Sequence, residues 1–132
     1  LQADGGTRTA SICGAYIALH DALTRVQQNG LINKHPLHSL CAAVSVGIHN
    51  GVPILDLPYI EDSSAEVDMN VVMLQEHGSS EAKFVEVQGT AEGAAFSQAQ
   101  LTELLALATN GLREVFALQT QILSVPPTPR PK

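Results

Sequence analysis

An α+β fold, a four-stranded, mostly antiparallel sheet packed with two long helices, is what this sequence predicts, and three observations predict it. Apolar residues recur at helical spacing near both ends of the chain, while the middle holds short apolar runs separated by turn residues. An Asn50-Gly51 pair sits between two of those runs, and Asn-Gly tolerates the positive φ of a tight hairpin. Finally, 132 residues with 45% hydrophobic content are enough for one domain to bury its own core.

The elements follow in order. Ile12, Ala15, Leu19, Ala22, Leu23 and Val26 mark the buried stripe of a first helix over about 9–28, which Asn29-Gly30 stops. Residues 33–39, with Pro36, read as a loop. Leu40 to Ile48 is apolar, partly β-branched and short, the pattern of a buried strand. His49-Asn50-Gly51 turns the chain into a second strand over Val52 to Leu57. Pro58 to Asp68 reads as an acidic loop or irregular edge, and Met69 to Leu74 and Lys83 to Gln88 as two further strands around a polar turn. Gly89-Thr90-Ala91-Glu92-Gly93 breaks the last strand. Ser97 and Gln100 then form a capping box that opens a long helix to about residue 123, its stripe being Leu101, Leu104, Leu105, Ala108, Leu112, Val115, Phe116 and Ile122. Both helices are expected on one face of the sheet. The domain is expected over 1–123, with 124–132 a disordered Pro-rich tail.

Charge and cysteine usage narrow the function. A net charge of −6 argues against a broad basic surface, so nucleic acid would have to be held by a few placed cations or by neighbouring chain. Cys13 and Cys41 show no metal-ligand or redox-motif spacing and sit in apolar stretches, which suggests free thiols in a reducing, cytoplasmic compartment. No apolar run is long enough to cross a bilayer, and no membrane partner is expected. His20, His35, His38, His49 and His77 lack ligand spacing and read as surface residues, while Tyr16 and Tyr59 read as packing residues rather than a stacking platform.

Two stretches could carry chemistry. Gly5-Gly6-Thr7-Arg8-Thr9 precedes a helix, where free N–H groups, close backbone approach at glycine, a hydroxyl and a guanidinium together suit one phosphate. The same residues would also serve as a plain helix cap with a surface arginine. Glu61, Asp62, Glu66 and Asp68 crowd four carboxylates into eight residues, which raises the pKa of at least one or invites an oxygen-loving divalent cation such as Mg²⁺. An acidic solvated loop is the alternative there.

The order of the pieces adds a resemblance. LQADGGTRTASICGA, AAVSVGI, DLPYIEDSSAEVDMNVVM and FVEVQGTAEG, spread over about residues 1–123, resemble the second half of the ribonuclease PH family of phosphorolytic exoribonucleases. The resemblance implies a ribosomal-protein-S5-domain-2-like fold, half of a larger one. It implies a phosphate-dependent 3′→5′ exoribonuclease, a nucleotidyltransferase that trims RNA, tRNA precursor 3′ ends especially, with inorganic phosphate as co-substrate and nucleoside diphosphate as product. It assigns the attacking phosphate to Gly6, Thr7 and Arg8, and the acid or Mg²⁺ ligand role to Asp62 and Asp68, with Asp68 the stronger candidate. Read by themselves, Glu66 would orient the loop or help bind metal, and Glu92 would fix its turn or cap the following helix. Partners implied are RNA, a hexameric ring of dimers of this chain, and the missing N-terminal half of the family's chain, with its further phosphate-binding arginine. The rival readings are a non-catalytic RNA-binding or scaffolding subunit of an exosome-like ring, and a Mg²⁺-dependent phosphate-ester hydrolase.

Overall fold

A computed structural model describes residues 3–128. Its elements run α1 (Thr7–Gln28), β1 (Ser39–His49), β2 (Val52–Leu55), a single helical turn α2 (Tyr59–Asp62), β3 (Val67–Glu76), β4 (Ala82–Ala91) and α3 (Gln98–Leu123). The four strands form one sheet in the order β2-β1-β3-β4, every pairing antiparallel. The α+β class and the order helix, four strands, helix are those the sequence predicts; the turn α2 is an addition within the stretch read as a loop or irregular edge. Of the expected tail, residues 129–132 lie outside the described residues, as do Leu1 and Gln2.

The hairpin joining β1 to β2 turns at Asn50 (φ 52°) and Gly51 (φ 74°), two left-handed residues in succession, which matches the twist of the strands it joins. Because β2 is short and lies at the sheet edge, it accommodates Pro53, which has no N–H to give a second neighbour. Ser97 caps α3 as its sequence predicts: its Oγ accepts from the Gln100 N–H at 3.3 Å and the Gln100 side chain accepts from the Ser97 N–H at 2.8 Å.

Side-chain alternation assigns the faces. Ala42, Val44, Val46 and Ile48 of β1 stand beside Met73, Val71, Met69 and Val67 of β3 in register, and α3 lays Leu104, Ala108, Leu112 and Phe116 on them. Each of the large side chains in that layer contributes roughly 2 kcal/mol by burial. Ile122, expected in the same stripe, is 46% exposed because the inward face of α3 continues through Phe116, Gln119 and Leu123 at helical spacing and leaves Ile122 to one side.

The first helix departs from expectation. Rather than sharing a face with α3 along its length, α1 starts on the opposite one, where a Cβ on Gly6 would approach the Ser45 hydroxyl and Arg8 reaches Glu86 and Gln88, and then runs along the edge of β1, where Tyr16 joins the core that α3 covers. Ser45, Asn70 and Gln88 form one row across the face where α1 starts. Only Thr9 and Tyr16 of α1 are fully buried, and Leu19 of its expected stripe is 50% exposed. The reason is the shortness of β2. Beyond it the edge of β1 is open, and α1 satisfies that edge with polar atoms: Cys13 Sγ donates to the Ala43 carbonyl and accepts from its N–H, both at 3.3 Å, and Tyr16 donates to the Ser39 carbonyl at 2.9 Å. Gln119 of α3 donates to the Cys41 carbonyl on the same edge at 2.9 Å.

Candidate functional site

The start of α1 is built from close contacts that only small residues allow. A Cβ at Gly5 would overlap the Leu57 carbonyl, so glycine is the residue that lets this loop rest on the chain entering α2. Gly6 is left-handed at φ 65°, and the side chains of Ser45, Thr9 and Asp56 surround the position its Cβ would occupy, Ser45 Oγ at 3.1 Å. Asp4 ties the two acidic and basic stretches together: one of its carboxylate oxygens accepts from the Gly5 N–H at 2.8 Å and from the Tyr59 N–H at 2.6 Å. Those two bonds, Tyr59 first, hold its pKa below the ordinary aspartate value.

Thr7 and Arg8 are the first helical residues, so their backbone N–H groups have no acceptor within the helix. The Thr7 hydroxyl donates to the Asp4 carbonyl at 2.7 Å. The Arg8 guanidinium crosses to β4, bonding Glu86 Oε1 at 2.6 Å and Gln88 Oε1 at 3.1 Å.

The acidic residues are more ordered than a loop. Asp62 ends α2, and Asp68 stands in β3, opposite Gly47 of β1 and Thr90 of β4. The β3 ladder extends through Val67 because β1 and β4 are long enough to pair with it, which single-strand apolar patterning did not reveal. Asp68 lies on the α1 face, one same-face step of roughly 7 Å from Asn70, whose cross-strand neighbour Gln88 holds Arg8. Cation and carboxylate thus share one face. Asp68 has its pKa raised, chiefly by burial and then by the Asp62 and Glu92 carboxylates, against an opposing hydrogen bond at the Met69 backbone. Glu66, by contrast, turns to the β1–β2 hairpin, where its carboxylate accepts from the Gly51 N–H at 3.2 Å. Glu92 pairs through its backbone N–H with the Glu66 carbonyl while its charge acts on Asp68.

Among the described residues, no three His, Cys, Asp or Glu side chains are grouped to hold a metal ion. His20 and His35, read from the sequence as surface residues, are instead half-buried, stacked with ring centroids 4.4 Å apart and bonded to the chain around them. Tyr16 packs in the core as expected, whereas Tyr59 is 63% exposed on α2. Four residues of the site escape a reading of single positions: Asp4, Asp56, Glu86 and Gln88. A signal for the last two does exist. Glu86, Gln88 and Thr90 alternate with apolar residues at period two, so they project polar atoms to one face of an edge strand.

Residues 39–111 match the 3′ exoribonuclease family, domain 2. A protein named Ribonuclease PH from Syntrophomonas wolfei subsp. wolfei is 54% identical over 125 residues, which cover 95% of this chain and 50% of that relative. The chain therefore spans about half the length of the curated relative it matches.

Proposed function

This chain belongs to the 3′ exoribonuclease family, and on that premise we propose that it carries one half of the site of a phosphate-dependent 3′→5′ exoribonuclease of the ribonuclease PH kind. The observation that carries the reading is the placement of Arg8, at a helix N-terminus, and Asp68, with its raised pKa, on the same face of one sheet. Phosphorolysis needs both. Free phosphate and the terminal phosphodiester are anions that repel, so the attacking phosphate must be held by donors. Gly6, the Thr7 and Arg8 N–H groups and the Arg8 guanidinium supply them.

An oxygen of that phosphate attacks the terminal phosphodiester, the bond from phosphorus to the 3′ oxygen of the next nucleotide breaks, and a nucleoside diphosphate leaves. The departing 3′ oxygen needs a proton or charge neutralisation. Asp68 is the proposed holder of that proton, a role supported by the burial and two neighbouring carboxylates that favour its protonated form. The Asp62 and Asp68 pair also fits Mg²⁺, which takes one or two carboxylates and keeps several waters, and which when bound supplies charge neutralisation at the scissile phosphate. Arg8, Asp62 and Asp68 together favour the enzyme over a scaffolding subunit, which would need none of them.

The remainder of the reading follows the family. RNA 3′ ends, those of tRNA precursors first, are the proposed substrate, and the N-terminal half of the family's chain is the proposed source of further phosphate and RNA contacts. A hexameric ring of dimers is the proposed assembly and the cytoplasm the proposed compartment, with which the free thiols of Cys13 and Cys41 agree. The test is to incubate the intact protein with a 3′-extended RNA and Mg²⁺, with and without inorganic phosphate, and to identify the released nucleotides. Nucleoside diphosphates released only with phosphate are expected; monophosphates released without it would mean hydrolysis and sink the proposal.

A further inference from the structure

Arg8 is held from two sides by β4. Glu86 Oε1 accepts from one terminal nitrogen at 2.6 Å and Gln88 Oε1 from the other at 3.1 Å. The two acceptors occupy successive same-face positions of one strand, so the guanidinium is pinned at two nitrogens and its plane is fixed, where a single acceptor would leave it free to swivel. Of the five N–H donors of a guanidinium these bonds use one on each terminal nitrogen, leaving Nε and one more on each for another anion.

Exposure argues against a stabilising role for the pair. The Arg8 and Glu86 side chains are 48% and 39% exposed, and an ion pair so open to water adds little to fold stability. Nor does pairing of charge alone require the neutral amide of Gln88. The backbone N–H of Arg8 belongs to the unsatisfied first turn of α1, so a guanidinium fixed beside its own helix start brings both sets of donors to one place.

We propose that Glu86 and Gln88 are positioning residues for the phosphate step: they hold the Arg8 guanidinium in its phosphate-receiving orientation before the anion binds. This rests on the phosphate role of Arg8 given above. A long side chain immobilised in advance no longer loses its freedom on binding, so the clamp acts on affinity for phosphate rather than on bond breaking. Glu86 shares Arg8 with the incoming anion and does not leave.

The experiment is steady-state phosphorolysis by the intact protein on a 3′-extended RNA, with inorganic phosphate varied. Glu86→Ala is expected to raise KM for phosphate about three- to tenfold with kcat within about twofold, and Glu86→Gln, which keeps an acceptor, to recover most of that. On an Arg8→Lys background, where no planar fork remains to be gripped, Glu86→Ala is expected to add less than about twofold. An unchanged or lowered KM in Glu86→Ala, or a loss confined to kcat, overturns the proposal. If Glu86→Ala does not fold, Gln88→Ala is read in the same way, a raised KM supporting the clamp and an unchanged one overturning it. The two readings fail separately: Arg8→Ala with normal phosphate dependence removes the phosphate role itself, whereas an impaired Arg8→Ala beside a normal Glu86→Ala removes only the clamp.

Discussion

Asp68 concentrates the tension between stability and chemistry in a single carboxyl. Its pKa is raised in the folded state, so the fold binds its proton more tightly than the unfolded chain does. The contribution to stability is fully present below the ordinary aspartate value of 3.8 and is lost as pH rises through the higher folded value. Asp68→Asn, which mimics the protonated form, is therefore expected to leave the protein as stable or more stable at pH 7, with the gain vanishing in acid below the ordinary aspartate value. Phosphorolysis by the same variant should fall by at least about a hundredfold, the scale of a lost general acid. Urea melts at pH 7 and in acid, beside a turnover assay, check both; full activity would remove Asp68 from the reaction. Asp4 has the opposite sign. Its depressed pKa gives stability that is present above the ordinary value and lost as pH falls through the folded one, so Asp4→Asn should flatten the acid limb of the stability curve.

At the scale of elements, the glycine-rich loop and the two long helices respond to substitution for different reasons. Gly5→Ala drives a Cβ into the Leu57 backbone, which has no rotamer by which to escape, and about 2–3 kcal/mol of destabilisation is expected together with weakened phosphate affinity. Gly14, in the middle of α1 with open space where its Cβ would be, behaves oppositely: Gly14→Ala should stabilise by roughly 0.5–1 kcal/mol through helix propensity. Comparing the two by thermal denaturation separates crowding at the loop from a general cost of alanine. In α3, Ser97→Ala removes half of the capping box and should cost about 1 kcal/mol, lowering Tm without altering phosphate dependence. An unchanged Tm would show that the cap is replaced by water.

For the whole molecule, phosphate is expected to stabilise the folded state by mass action, about 1.4 kcal/mol at ten times its Kd, read as a Tm that climbs with phosphate in the native protein and not in Arg8→Ala. That readout needs no RNA. Sequence by itself determined the element order, the Asn50-Gly51 hairpin and the Ser97 cap, because each is decided by neighbours within a few residues. Glycine before a helix and crowded carboxylates are local signals too, and they marked the stretches 5–9 and 61–68; the resemblance to the ribonuclease PH family is what singled out Gly6, Thr7, Arg8, Asp62 and Asp68 within them. Which face each helix covers was decided only in three dimensions. Periodicity gives α1 an apolar stripe, but the length of β2 decides how much of the β1 edge is open, and α1 packs beside that edge with Cys13 and Tyr16 rather than burying Leu19. The same holds for the partners of Arg8, which lie 78 and 80 positions away in the chain. No local pattern joins them; the antiparallel register of β3 and β4 sets Glu86 and Gln88 on the face that α1 crosses, and hydrogen bonding over that distance exists only once the sheet has formed.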